Sequence, residues 1–291
     1  MRVDPNYLQE LSTSISQSTA NEATLTNELS SGLRVQNLSD DPTAAASALR
    51  LSSQVSRDST FVQSASRETG VLQVADSALS EVVTQMTSAI SLATQATNGT
   101  LTSTQQGAIA LQLQGIQNEM LTLANTSYQG QYLFAGSKGS TAPYSLDSAG
   151  NATYAGDTVQ QNVTTPGGQA LVTNLPGSSV FAGVFAALGS VIAALQTNPV
   201  SITAADSSAL SAALSTVSTQ RSVLGNSLNR LTASSTYAQT DVANLQAAQS
   251  SLVSADTVQV ATDLKNSETQ HTAMLSLMAA LSKGSLFDYL K

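Results

Sequence analysis

The sequence has no cysteine, no tryptophan and a single histidine among its 291 residues. The lack of cysteine excludes disulfide bonds and thiolate metal sites. Aromatic residues make up only 4% of the chain, so we expect burial to come from Leu, Val, Ile and Ala stripes along helices. Any histidine-based metal site or catalytic triad would have to use His271, which we interpret instead as a polar position in a helical seam.

Charge is also scarce. Charged residues make up 10% of the chain, and the formal net charge is −8. This acidic balance argues against nucleic-acid binding, which needs clustered Lys and Arg. The first ten residues lack the apolar segment of a secretory signal peptide, and we find no run of about 18 apolar residues that would insert into a membrane. We expect a soluble helical protein, either cytoplasmic or exported by a route that needs no signal peptide.

A turn between two helices is marked by the segment 29–51, LSSGLRVQNLSDDPTAAASALRL. The helical pattern of the first helix ends at residues 29–31. Gly32 is therefore the expected C-cap, in the left-handed conformation. Asp41 can accept hydrogen bonds from free amides of the next helix, and Pro42 suits its first turn because no N–H is needed there. We call residues 32–42 the elbow. Its candidate functional residues are Gly32, Arg34, Asp40, Asp41 and Pro42.

Heptad spacing of apolar residues predicts a seam near each end of the chain. Ser18 and Glu22 interrupt the first seam, while Ser267 and His271 interrupt the second. Residues 203–282 contain no proline and one glycine, which predicts a single long helix carrying the second seam. Because each seam needs a partner, we expect the terminal helices to pair. The candidate seam residues are Leu8, Leu11, Ile15, Leu25, Leu29, Val253, Val260, Leu264, Met274, Met278 and Leu281.

The middle of the chain changes character. Helices are predicted over Pro42–Ala96, ended by Asn98–Gly99, and from Ser103 onward, as antiparallel neighbours. Glycine, proline and tyrosine then become frequent, which predicts a β insertion over 129–177. Its strands are expected at Gln131–Phe134, Asn151–Tyr154 and Thr158–Thr164. A further helix is predicted over Val180–Thr197, stopped by Asn198–Pro199.

The predicted fold is mainly α. It is an elongated antiparallel helical rod or coiled coil of paired N- and C-terminal helices, with a small β-rich insertion domain at mid-chain. The predicted divisions are 1–38 for an N-terminal assembly helix with the elbow, 39–127 for the N-terminal part of the rod, 128–199 for the β-rich insertion with its following helix, 200–252 for the C-terminal part of the rod and 253–291 for a C-terminal assembly helix.

The elbow segment resembles the N-terminal signature of the flagellin superfamily. The DDP element followed by alanines is similar to the hook–filament junction branch of that superfamily rather than to the flagellins. Further similar elements are ATNGTL at 96–101, LANT at 123–126, YLFAG at 132–136, YAGD at 154–157, RSVLGNSLNRL at 221–231 and LSKGSLFDYL at 281–290. The resemblance spans nearly the whole chain and is weakest over 137–197.

This resemblance implies a structural component of the bacterial flagellum, an adaptor at the junction between hook and filament on which flagellin polymerises. Such a protein is extracellular and leaves the cell through the flagellar type III export system without a cleaved signal peptide. The implied partners are copies of itself in a ring, a hook-associated protein on the hook side, flagellin on the filament side and an export chaperone at the C-terminal helix. No enzyme activity, cofactor or metal is implied.

Two other functions stay open from the sequence. The chain could be a flagellin, the bulk filament subunit, although a flagellin would be expected to carry a DDAAG-type elbow. An enzyme or ligand-binding module on the β insertion is the other alternative. That module would need converging histidine and acidic residues, and the insertion offers only Asp147 and Asp157. The GSKG run at 136–139 lacks the spacing of a phosphate-binding loop and predicts a turn.

Overall fold

The computed structural model describes residues 5–97, 101–197 and 202–289, and it divides into two compact units. Unit 1 is Met1–Ser56 with Val242–Lys291, and unit 2 is Arg57–Asp241. Within the described residues the helices are α1 (Pro5–Ser31), α2 (Pro42–Ala96), α3 (Ser103–Ala124), α4 (Ser178–Gln196), α5 (Ala204–Val253) and α6 (Thr257–Tyr289). The strands are β1 (Ser127–Tyr128), β2 (Gln131–Tyr132), β3 (Tyr144–Leu146), β4 (Ala152–Tyr154), β5 (Asn162–Thr164) and β6 (Ala170–Val172).

The mainly α prediction is confirmed, and α2 has the bounds that its caps predicted. The start of α3 is fixed by a capping box, because Thr102 Oγ1 accepts from the amide of Gln105 while the Gln105 side chain accepts from the amide of Thr102. The predicted stops at Asn98–Gly99 and Asn198–Pro199 lie outside the described residues.

The prediction of one long C-terminal helix is wrong. The helix breaks at 254–256, between α5 and α6. Asp256 Oδ1 accepts hydrogen bonds from the amides of Val258 and Gln259, at 3.1 and 3.2 Å, and so caps a new helix. A side-chain cap therefore begins a new helix at a point where the sequence has no glycine or proline.

Unit 2 is held by an ion pair, an aliphatic core and a cluster of aromatic side chains. Its helices α2 and α5 run antiparallel, and Arg221 of α5 binds Asp76 of α2 through two hydrogen bonds of 2.8 and 3.2 Å. The core consists mainly of aliphatic side chains from α2, α3, α4 and α5, as the composition predicted. Aromatic packing is added where the insertion meets α4. The aromatic cluster contains Phe134, Tyr144, Tyr154, Phe181 and Phe185, with ring centroids 5.0–6.4 Å apart.

The insertion is β-rich but consists of three separate antiparallel hairpins rather than one sheet. β2, β4 and β5 are shorter than the predicted strands, and β1, β3 and β6 were not predicted. Strands of two or three residues are too short to show an alternation of apolar and polar positions. Their presence and bounds therefore could not be predicted from the sequence pattern. The second hairpin, β3–β4, is joined to α3 by Asn125, whose side-chain amide exchanges two 2.9 Å hydrogen bonds with the backbone of Tyr144.

Helix α4 corrects the expectation that no segment of the chain is long and apolar enough to insert into a membrane. Its 19 residues have a mean hydropathy of 2.0 over an 18-residue window, enough by length and composition to span a membrane. Glycine, serine and alanine separate the large apolar side chains of α4. The helix was therefore not recognised in the sequence as a continuous apolar segment. Half of that window is buried inside the protein, and Val184, Leu188 and Val191 are fully enclosed. Its apolar character thus belongs to the core of unit 2.

Candidate assembly interface

Helices α1 and α6 pack together in unit 1 and run antiparallel, which confirms the predicted pairing of the terminal helices. The inward positions follow 4,3 spacing on both helices. On α1 they are Leu11, Ile15, Ser18, Glu22 and Leu25, all half-buried. On α6 they are Val260, Leu264, Ser267, His271, Met274, Met278 and Leu281, of which only Val260 and Ser267 are buried. A single helix pair therefore leaves most of this seam partly open to solvent.

The other predicted seam residues are placed differently. Leu29 is 38% exposed near the end of α1. Val253 is the last residue of α5 and is half-buried; its carbonyl accepts from the amide of Arg34. The side chain of Leu8 lies outside the described residues. The part that each seam residue plays in assembly remains a prediction.

A polar layer crosses the seam at Glu22 and His271, two of the polar positions predicted from the sequence. His271 Nδ1 lies 3.4 Å from Glu22 Oε2, and the two side chains are 24% and 20% exposed. Glu22 Oε1 is buried and has no hydrogen-bond partner in the described part of the chain. A partly buried pair with an unsatisfied oxygen contributes little net stability, whereas it does disfavour other alignments of the two helices.

The elbow adopts the local geometry that its sequence predicts. Gly32 has φ +70°, and its amide donates to the Glu28 carbonyl at 2.8 Å, which closes α1. Asp41 Oδ1 accepts from the amide of Ala44 at 3.0 Å and caps α2. Asp40 instead accepts from two amides that precede it, those of residues 36 and 37, at 3.0 and 2.8 Å. Both carboxylates therefore support the fold of the turn.

Electrostatics agrees with these roles. Hydrogen bonds from backbone amides lower the pKa of Asp40, with Asn37 the larger cause. The pKa of Asp41 is also lowered, first by the amide of Ala44 and then by Arg34, whose Nη1 lies 3.3 Å from Asp41 Oδ2. The elbow is therefore held with both carboxylates ionised at neutral pH.

A contact that the sequence does not predict joins the elbow to the break between α5 and α6. Leu33 and Ser254 form an antiparallel β-bridge. The amide of Arg34 donates to the Val253 carbonyl at 2.8 Å, and that of Ala255 donates to the Gly32 carbonyl at 2.9 Å. We call residues 32–34 with 253–255 the elbow bridge. The capping Asp256, which marks the start of α6, was the signal in the sequence that could have located the break beside it.

Large apolar side chains remain on the surface of unit 1. Those exposed are Tyr7, Leu29, Leu33, Leu38, Leu49, Val258, Leu275 and Leu277. Surfaces of this kind, beside a half-open seam, are typical of protein–protein contacts.

The acidic residues of the insertion serve its turns. Asp147 accepts from the amides of Ala149 and Asn151, and hydrogen bonds led by the Asn151 side chain lower its pKa. Asp157 accepts from the hydroxyl and amide of Ser137, which lowers the pKa of Asp157. Among the described residues there is no cluster of three or more His, Cys, Asp and Glu that would hold a metal ion.

Comparison with known proteins gives concordant matches. The bacterial flagellin N-terminal helical region matches residues 6–139, and the bacterial flagellin C-terminal helical region matches residues 207–290. The chain is 32% identical over 231 residues to flagellar hook-associated protein 3 of Escherichia coli (strain K12), covering 70% of this chain and 72% of that protein. It is 33% identical over 184 residues to flagellar hook-associated protein 3 of Salmonella typhimurium, covering 62% of this chain and 57% of that protein.

The fold is similar to that of a solved structure as well. The flagellar junction protein from Legionella pneumophila matches with a TM-score of 0.59 at 17% identity, covering 72% of this chain and 100% of that one. At this identity the similarity concerns the fold.

Proposed function

Because this chain belongs to the flagellin family, with the flagellar hook-associated protein 3 relatives, we propose that it is the structural adaptor between hook and filament on which flagellin polymerises. The observation that carries the proposal is the α1–α6 pair with its half-covered seam, which needs further helices to complete its burial. The curated relatives are hook-associated proteins rather than flagellins, which favours the adaptor over the bulk filament subunit.

The partners follow from the same proposal. Copies of the chain associate as a ring through residues 1–38 and 253–291, where the exposed apolar side chains of unit 1 are concentrated. One side of the ring contacts a hook-associated protein, and the other receives flagellin. An export chaperone covers the C-terminal helix before the chain leaves the cell through the flagellar type III system. The half-open seam supports this last step, because uncovered apolar residues need protection before assembly.

The test is complementation of a bacterial strain from which this gene has been deleted. The deletion strain should show bare hooks and release flagellin into the medium, and the wild-type chain should restore filaments. An absence of flagellin both from the medium and from the hooks would identify the chain as the filament subunit itself. Ordinary filaments and motility in the deletion strain would overturn the proposal.

A matched pair of variants locates the function in the seam. Leu264→Asp puts a charge into the half-buried seam, where desolvation is costly, and should behave like the deletion. Leu111→Asp makes the same chemical change on α3, where the side chain is 69% exposed, and should restore filaments. Both variants should be detected in the cell by immunoblot. Normal filaments with Leu264→Asp would contradict the assigned role of the seam.

A further inference from the structure

Unit 2 contains a cleft between the β5–β6 hairpin and helix α5 that the proposed adaptor role does not use. Its volume is about 540 Å³, which lies within the range of about 300–1,000 Å³ that is usual for ligand sites. Its most enclosed side chains are apolar, whereas most of its more exposed lining is polar. The enclosed residues are Leu72, Leu175, Pro176 and Leu224. An apolar interior with polar groups nearer to solvent is the ordinary composition of a recognition site.

The β5–β6 hairpin forms one wall of the cleft, because its side chains alternate between two faces. Leu171 is 2% exposed and belongs to the core, while its neighbour Val172 lines the cleft. Asn174 joins the segment before β5 to the hairpin. Its side-chain amide accepts from the amide of Gln161 at 2.8 Å and donates to the Val159 carbonyl at 3.0 Å. The wall is therefore held in position by the fold of unit 2 itself.

The opposite wall is formed by residues 220–230 of α5, which set the length of the cleft. Ten residues of α-helix rise about 15 Å. An extended chain advances about 3.3 Å per residue, so about four or five residues of an extended peptide span the same distance. Three lining side chains end in amides that make no hydrogen bond within the described part of the chain, namely Gln160, Gln220 and Asn226. Each offers a donor and an acceptor, as the backbone of a bound peptide requires.

Arg230 is the cation of this lining. Arg221, on the same helix, is paired with Asp76, whereas the guanidinium of Arg230 makes no hydrogen bond or ion pair with any described residue. Among the described residues that line the cleft there is no acid. A guanidinium without an acid beside it is suited to bind a carboxylate of another molecule. The occupant that complements the cleft therefore carries an acidic group next to apolar side chains.

We propose that the cleft binds an extended acidic segment of a partner protein, about four or five residues long. A carboxylate of that segment pairs with Arg230, and an apolar side chain packs on Leu72 and Leu224. The unpaired side-chain amides of the lining hydrogen-bond its backbone. The site shares no residue with 1–38 or 253–291, the parts of the chain assigned to ring assembly, so it does not rest on the proposed adaptor role.

The test begins with a displayed library of short random peptides, selected on the full chain. Enriched sequences should share an aspartate or glutamate next to apolar residues. The most enriched peptide should bind the wild type in calorimetric titration. Arg230→Gln should weaken that binding roughly tenfold or more, because a charge-assisted hydrogen-bonded pair is lost. Arg67→Gln makes the same change at an exposed arginine of α2 outside the cleft, and it should leave the affinity unchanged.

A double-mutant cycle then identifies the contact. Replacing the acid of the peptide by its amide should weaken binding to the wild type by a similar factor and leave binding to Arg230→Gln almost unchanged. Val223→Asp places a like charge at a lining residue that is 51% exposed, so it should weaken binding while the chain stays folded. Leu111→Asp, at an exposed residue of α3, should bind the peptide as the wild type does.

Several outcomes would overturn the proposal. One is a selection that enriches no peptide, and another is an enriched peptide that binds Arg230→Gln as tightly as the wild type. Binding of a glucuronate-containing oligosaccharide that depends on Arg230, with no peptide bound, would identify an acidic saccharide as the occupant. Self-association that is lost in Arg230→Gln but kept in Arg67→Gln, measured by analytical ultracentrifugation, would identify a second copy of the chain instead.

Discussion

A disulfide across the elbow bridge tests the contact on which the geometry of unit 1 depends. Leu33 and Ser254 lie opposite one another, and the flanking backbone hydrogen bonds are 2.8 and 2.9 Å long. Opposed residues in this non-hydrogen-bonded arrangement have Cα atoms about 4.5 Å apart. That spacing falls within the disulfide range of about 4.4–6.8 Å. The chain has no cysteine, so Leu33→Cys/Ser254→Cys has no competing thiol.

The size of the effect follows from the loop that the bond closes. Residues 33 and 254 enclose about 220 residues, for which the chain-entropy relation gives about 5 kcal/mol. Disulfides in practice contribute about 2–4 kcal/mol, and we expect a gain in that range. For a chain of this size the corresponding rise in the unfolding temperature is roughly 10 °C. Loss of the Leu33 side chain should cost little, because it is 37% exposed.

The assay compares the double variant before and after mild oxidation. Non-reducing electrophoresis reports the cross-link within the monomer, and calorimetry measures the unfolding temperature in the oxidised and reduced forms. The single variants Leu33→Cys and Ser254→Cys should show no oxidation-dependent shift in the monomer. Failure of the thiols to join in the folded chain, or an oxidised form no more stable than the reduced one, would refute the bridge.

Two further predictions concern the seam and the insertion. Replacing Glu22 and His271 together by Leu should stabilise the chain by about 1–4 kcal/mol in urea unfolding, because a partly buried polar pair gives way to apolar packing. A double variant less stable than the wild type would show that the polar layer contributes net stability. Gly136→Ala should lower the stability by about 1–3 kcal/mol, since φ is +70° and a Cβ would collide with Asp157. The matched change Gly168→Ala, at φ +81° with open space around it, should cost less, and equal losses would refute the steric argument.

The helices could be predicted because local signals fix them. The capping residues Gly32, Asp41 and Pro42 predicted the elbow. Heptad spacing predicted that the terminal helices α1 and α6 pair. The break at 254–256 could not be obtained in the same way. Asp256 is a local cap signal, but the break also depends on hydrogen bonds from a segment more than 200 residues earlier, and no local propensity reports those.

The candidate interface was predictable to a similar degree. The positions of Ser18, Glu22, Ser267 and His271 as polar interruptions were visible in the spacing. That Glu22 meets His271 depends on the register of the two helices, which the elbow bridge helps to set.

The pairing of α1 with α6 has a consequence for the order of events during synthesis. Glu22 and His271 are roughly 250 residues apart along the chain, so this contact has a very high sequence separation. At about 5–20 residues per second, translation leaves α1 without its partner for roughly 10–50 seconds. The segment that appears first from the ribosome is thus among the last to acquire its native neighbours. Unit 2 ends at Asp241, so its contacts that need α5 also form late, shortly before α6 is made.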